Sequence, residues 1–185
     1  KSRKKTGVMQ SATTESSTVI GLIEPYRSNR RYYFIERTED EVLDKAHVQN
    51  DVHSFKKSPW ALKEFILKDL ELGKKYRLVV LGEDMQLIDA RDFEPLRTSG
   101  EKLHFSALSC MNDQIEKKKR RQMWEKVRQT NSDVLFMIGD NVYADILDSG
   151  EYVDEVSPDQ LWLRYIQMRQ RLGVYQWNEL TPVYA

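Results

Sequence analysis

Cysteine is nearly absent: Cys110 stands alone in 185 residues. That excludes an internal disulfide framework and any zinc site built from several thiolates. Net charge is absent too, because 29 Lys and Arg balance 29 Asp and Glu. A dedicated nucleic-acid binder is normally clearly basic, so no nucleic-acid-specific binding is expected. No window approaches 18 apolar residues, so no transmembrane segment is expected. The first 17 residues are basic and polar and lack the apolar stretch of a signal peptide. They read as a disordered lead. The far end stops at Pro182-Val183-Tyr184-Ala185 without a polar tail. It reads as an apolar strand cut short, and the chain as an amino-terminal fragment with an unpaired edge near Val183 and a tendency to associate.

The chain is long enough for one or two domains with a real core. Strand-like runs occur at 18–23 and 31–35. Residues 36–51 are highly charged and suit a loop or surface helix. Two apolar runs, 76–81 and 85–90, flank Gly82-Glu83-Asp84, which suits a hairpin. Leu70, Gly73 and Tyr76 follow one another at intervals of three. That spacing is similar to the turn into a late strand of immunoglobulin-like sandwiches, where a tyrosine hydroxyl fixes the corner. These features place a small β-sandwich at 18–98.

After Gly100 the pattern changes. Residues 103–108 alternate like a half-buried strand. Residues 113–130 are charged, with Ile115, Met123, Trp124 and Val127 on a narrow apolar face, as in a helix. Residues 134–138 are unbroken apolar sequence and suit a strand covered on both faces. The order strand, helix, strand is a βαβ unit. Ser157-Pro158-Asp159-Gln160 is a capping-box start. It leads a helix whose buried face is expected at Leu161, Tyr165, Met168 and Leu172. Gly173 ends that helix, and 180–184 begins another strand.

Parallel strands deliver their carboxyl ends to one edge of the sheet, where ligands of open α/β sheets bind. Here those ends are Ser109-Cys110 and Gly139-Asp140, with Asn141, Tyr143 and Asp145 just beyond. A carboxylate suits hard cations, while a thiolate and a phenolate suit a more Lewis-acidic ion such as ferric iron. Free Cys titrates near pH ~8.5 and Tyr near ~10, so a metal would be needed to deprotonate both. The same residues also suit a blander reading: a small buried thiol, an Asp capping a turn and a packing tyrosine.

Residues 105–114, with Ser109-Cys110 at a strand end, and 133–145, with Gly139-Asp140-Asn141-Val142-Tyr143, resemble the PhoD-like alkaline phosphatases of the metallophosphoesterase superfamily. Leu161-Trp162-x-x-Tyr165, Tyr175-Gln176 and Leu180-x-Pro182-Val183 also look like the stretch before that family's Thr-Trp-Asp-Asp-His-Asp motif. The chain ends before such a motif, and it lacks the later Asn, His and Asp ligands. The resemblance covers 103–185. It implies an α/β metallophosphoesterase-like domain, incomplete in this chain, preceded by an immunoglobulin-like β-sandwich. It assigns Cys110 and Tyr143 as thiolate and phenolate ligands of iron, and Asp140 as a carboxylate bridging metals. Calcium would complete the cluster, and a divalent-metal variant is conceivable. The implied reaction is metal-dependent hydrolysis of small phosphomonoesters or phosphodiesters, with this chain inactive alone. Asp113 and Asn141 receive no role. Relatives are often exported to the periplasm or cell surface, and no twin-arginine leader is visible here. The competing reading is a non-catalytic binding module that uses the sandwich, with a degenerate, metal-free α/β part.

Other features read as structural. The basic run 116–121 reads as a solvated helix face. Arg27, Arg30 and Arg31 read as loop residues. His47, His53 and His104 have no metal-binding spacing. Trp124, Trp162 and Trp177 read as packing residues.

Overall fold

A computed structural model describes residues 6–43, 48–55, 58–100, 102–146 and 149–185. Most of the regular structure is strand. Eight strands come first: β1 (Val8–Ser11), β2 (Thr18–Pro25), β3 (Arg31–Glu36), β4 (Glu41–Val42), β5 (Val48–Ser54), β6 (Trp60–Leu67), β7 (Tyr76–Leu81) and β8 (Leu87–Phe93). They form two antiparallel sheets of four, ordered β1-β2-β6-β5 and β4-β3-β7-β8. That is the A-B-E-D and C′-C-F-G order of an immunoglobulin-like sandwich.

Alternation explains how the sheets close. On β7, Tyr76, Leu78 and Val80 are buried while Arg77, Val79 and Leu81 are only partly so. On β6, Ala61, Phe65 and Leu67 are buried. Phe65 and Leu67 meet Ile20, Leu22, Phe34, Tyr76, Leu78 and Phe93 in one core. The Tyr76 hydroxyl accepts a hydrogen bond from the Glu71 backbone N–H at 2.8 Å, which makes the tyrosine corner.

Two expectations for this half are corrected. The lead expected to be disordered contains β1, which pairs with β2 from Val8 to Ser11. Val8 is fully buried, so its burial offsets the entropy of ordering a polar segment. The charged stretch 36–51 is neither simple loop nor helix, because β4 and the start of β5 lie in it. There β5 is an edge strand, exposed along nearly its whole length, which is why its sequence looks like loop.

The second half holds β9 (Phe105–Leu108), α1 (Lys117–Gln129), β10 (Val134–Met137), α2 (Pro158–Arg171), a single 3-10 turn (Gly173–Gln176) and β11 (Val183–Tyr184). The three strands form a parallel sheet, ordered β11-β10-β9, with α1 as the crossover from β9 to β10. Leu135, Met137 and Val183 pack with Trp124, Met168, Leu172, Val174 and Tyr175 in a second core. Gly173 is required there, since a Cβ would lie 2.8 Å from the Trp124 Cβ.

The expectation that β10 is covered on both faces is corrected. Val134 is buried, but Phe136 is only half-buried and, just beyond the strand, Ile138 is 69% exposed, so among the described residues one face of the sheet is left partly open. Phe105, Phe136 and Tyr184 run across that face as an aromatic row. The edge at Val183, expected to be bare, lies beside β1 through a Gln10–Pro182 bridge, and the Tyr184 hydroxyl donates to the Thr13 carbonyl at 2.7 Å.

The capping box of α2 forms as the sequence predicts, with Ser157 and Gln160 bonding reciprocally. The expected buried face does not hold at its start. Leu161 and Tyr165 are exposed, whereas Arg164, Ile166 and Met168 are buried. The helix lies between two surfaces: Trp162 donates its Nε1–H to Ser58 Oγ at 3.0 Å on the sandwich side, and Met168 and Leu172 enter the second core. The two halves also share a buried polar seam. Arg91, fully buried, pairs with Asp89 at 2.9 Å and donates to the carbonyls of Thr6 and Trp177.

Candidate metal centre

Strand pairing carries on past β9 and β10 and sets the geometry of their ends. Ile138 N–H donates to the Leu108 carbonyl, Cys110 N–H to Gly139, and Met111 N–H to Asp140. At this level the backbone turns sharply. Cys110 has φ 58°, Gly139 φ 133° and Asp140 φ 47°. Gly139 sits where a side chain is strongly disfavoured, and Cys110 and Asp140 adopt the left-handed region that non-glycine residues rarely occupy. Such strain is concentrated at sites that use it.

The turns bring three donors together. Cys110 Sγ lies 3.6 Å from Asp140 Oδ2, and the Tyr143 hydroxyl lies 3.4 Å from the same oxygen. Cys110 and Asp140 are exposed and Tyr143 is half-buried. The Tyr143 phenol is pushed up to about 12, first by its hydrogen bond with Cys110, then by burial and by the negative charge of Cys110 and Asp140. Without a cation, these neighbours keep the phenol protonated; a bound cation would reverse the effect. No Lys or Arg pairs with Asp140 among the described residues. Asn141 Oδ1, beside it, is buried with no hydrogen-bond partner among them.

All three residues predicted as ligands are therefore neighbours in space, although 30 positions separate Cys110 from Asp140. The donor set, thiol, carboxylate and phenol, fits a Lewis-acidic ion. Among the described residues no group of three or more His, Cys, Asp and Glu could hold a metal, so the third donor here is a phenol.

Other residues singled out in the sequence lie apart. His53 Nε2 is 2.9 Å from Glu64 Oε2 across β5 and β6, and the His104 side chain is exposed. His47 lies outside the described residues. Arg31 contacts the Met85 sulfur at 3.5 Å at the edge of the sandwich. Trp124 and Trp177 meet edge to face at 6.2 Å, and Trp162 stacks on Phe55 at 6.1 Å, so these tryptophans pack. A cleft of about 1050 Å³ opens between sandwich and α1, lined by Asp92, Arg121, Arg128 and Trp177 among others, and includes none of the three donors.

Sequence reasoning missed the residues that hold the two loops. Asp113, fully buried, accepts from Arg164 Nη2 at 2.7 Å and from Arg171 Nη1 at 3.2 Å. Arg164 Nε also donates to the Tyr143 carbonyl at 3.0 Å. Gln114 Nε2 donates to the Ile146 carbonyl at 2.8 Å. Arg120, expected on a solvated face, donates to the carbonyls of Asp113 and Ile115. Their only sequence signal is position: Asp113 and Gln114 directly follow the Cys110 turn.

No family profile matches the chain, and no curated protein matches it. Among solved structures, a chain from ICOS in complex with ICOS-L and an anti ICOS-L VNAR domain aligns over 48% of this chain and 42% of that one, at 14% identity and TM-score 0.38. Astrotactin-2, a perforin-like membrane protein involved in neuronal development, aligns over 67% of this chain and 26% of that one, at 13% identity and TM-score 0.38. The chain thus spans less than half the length of either. At these scores neither likeness bears on what the chain does.

Proposed function

We propose that the chain carries part of the metal site of a PhoD-like phosphoester hydrolase, on the opening of an α/β metallophosphoesterase domain at 103–185 that follows the sandwich. The observation that carries this reading is the meeting of Cys110, Asp140 and Tyr143 at the carboxyl ends of parallel strands, with both contacts to Asp140 Oδ2 within 3.6 Å. Cys110 and Tyr143 would hold iron, and Asp140 would bridge to a second ion such as calcium. The bound metals would supply Lewis acidity toward a phosphoryl oxygen and its nucleophile.

The chain's own residues contribute placement. The strained turns leave Cys110 and Asp140 exposed to solvent, with Tyr143 half-buried beside them. The open carboxyl edge of the sheet is where a small phosphomonoester or phosphodiester would approach. Three donors make a partial cluster, so the isolated chain is proposed to be inactive. Export to the periplasm or cell surface belongs to the same proposal.

The test is addition of ferric iron to the purified chain, followed by elemental analysis after desalting. Near-stoichiometric iron with a visible phenolate-to-iron charge-transfer band is expected. Cys110→Ala should lose the iron, and Tyr143→Phe the band. A wild-type chain that retains no iron overturns the metal reading and turns attention to the sandwich as a binding module.

A further inference from the structure

We propose that Arg164 is a positioning residue: its guanidinium, anchored on buried Asp113, fixes the spacing between the loop carrying Cys110 and the loop carrying Tyr143. The inference rests on the metal-site reading for its purpose but on the geometry alone for its existence.

Asp113 lies three residues beyond Cys110 and is fully buried; Arg164 is 6% exposed. A buried carboxylate must be paired, and a buried guanidinium must spend its donors. Arg164 divides them. Nη2 goes to Asp113 at 2.7 Å, Nε to the Tyr143 carbonyl at 3.0 Å and Nη1 to Gln167 Oε1 at 2.6 Å. One planar group thus touches both ligand loops, from a helix belonging to neither. Arg171 shares the charge of Asp113, and Gln114 adds a second tie between the loops through Ile146. Apolar packing reaches Met111, but Cys110, Ile138, Gly139 and Asp140 at the open strand ends are all exposed, so polar ties have to hold the rest.

Lysine separates positioning from simple charge neutralisation. Its ammonium can satisfy Asp113, but it lacks the fixed fork that reaches the Tyr143 carbonyl as well. The experiment compares amide hydrogen exchange of metal-free wild-type chain, Arg164→Lys and Gln167→Ala, with ferric-iron affinity as a second readout. In Arg164→Lys, exchange at 142–146 and 111–114 should rise at least tenfold, with β2 and β6 unchanged, and iron affinity should fall at least tenfold. Gln167→Ala should leave both readouts near wild type, because the two loop ties remain.

Unchanged exchange in both loops, or an equal rise across the whole chain, overturns the proposal. So does an Arg164→Lys chain that no longer folds, because loop spacing alone would not cost the fold. If wild type binds no iron while the loop-selective rise is seen, the metal reading fails and the clamp stands. If wild type binds iron and Arg164→Lys binds it equally, the clamp fails and the metal reading stands.

Discussion

The sandwich and the parallel sheet differ in how many of their faces are packed. The sandwich buries residues of both its sheets against one another, and Ile20, Leu22, Leu67, Leu78 and Val80 are fully enclosed. The parallel sheet packs one face, through Leu135, Met137 and Val183, and leaves Phe105 61% exposed and, just beyond β10, Ile138 69% exposed on the other side. Apolar burial is non-directional and does not by itself fix where an exposed loop end sits. The half-open region therefore needs directional ties to hold a site, and Asp113, Arg164 and Gln114 provide them. The closed region has its own buried ion pair, Asp89 with Arg91, and it lies where the two halves meet.

That seam and the sandwich core are where the largest effects are expected. Asp89→Ala leaves the fully buried Arg91 without its carboxylate. Breaking such a pair costs about 3–5 kcal/mol. Urea unfolding should show the loss. Because Arg91 also holds the Trp177 carbonyl, signals from both halves should shift together. Two separate transitions in the variant would break the comparison in a useful way, by showing that the halves are coupled through this residue.

The next effect tests the faces directly. Phe93, 2% exposed in the sandwich core, should cost about 3–5 kcal/mol when cut to alanine. Ile138→Ala, on the partly open side of the parallel sheet, should stay within about 0.5 kcal/mol. A large loss at Ile138 would mean that the face is covered in solution, and concentration-dependent sedimentation would then show whether a second copy does so.

A smaller change separates the two kinds of polar tie. Tyr76→Phe removes only the hydroxyl that accepts from Glu71 N–H, and should lower stability by about 1 kcal/mol with no change in ferric-iron binding. A change in iron binding would show that the sandwich corner communicates with the strand ends.

The sequence made some of this visible and hid the rest for physical reasons. The tyrosine corner, the β7–β8 hairpin, the capping box at Ser157 and the strand-helix-strand order were legible because each is a local spacing. So was the meeting of Cys110 with Asp140, because parallel strands must share an edge. Strand β1 was hidden because it is only four residues long and its Lys- and Ser-rich surroundings read as disorder. The edge strand β5 was hidden because an exposed strand has no apolar alternation to read. Arg164 was hidden because a buried arginine on a helix looks like a solvated one until Asp113 is placed beside it. The partly open face of β10 was hidden because a run of apolar residues does not state how many faces are covered.

The smallest effect concerns two aspartates near strand ends that the sequence cannot tell apart. Asp92, on β8, is gripped by Arg77 through Nε at 2.5 Å and Nη2 at 2.7 Å. That hydrogen-bonded guanidinium, opposed by partial burial, holds its carboxyl below the usual aspartate value, with Arg37 and Lys75 helping. The folded pKa thus lies below the unfolded one of about 3.9. The stabilisation is fully present above that unfolded value and is lost as pH falls through the lower folded one. Wild type should therefore lose more stability on acidification below about pH 4 than Arg77→Met, in which the grip is gone, while the two share a similar slope near neutrality. Equal acid sensitivity would mean that the pair carries no weight on this partly exposed face. Among the described residues Asp140 has no such guanidinium; the side chains bonded to it are a thiol and a phenol. A carboxylate already saturated by arginine serves the fold. The carboxylate of Asp140 stands instead beside a thiol and a phenol, and that contrast, more than the Gly-Asp dipeptide, separates the candidate site from ordinary strand-end chemistry.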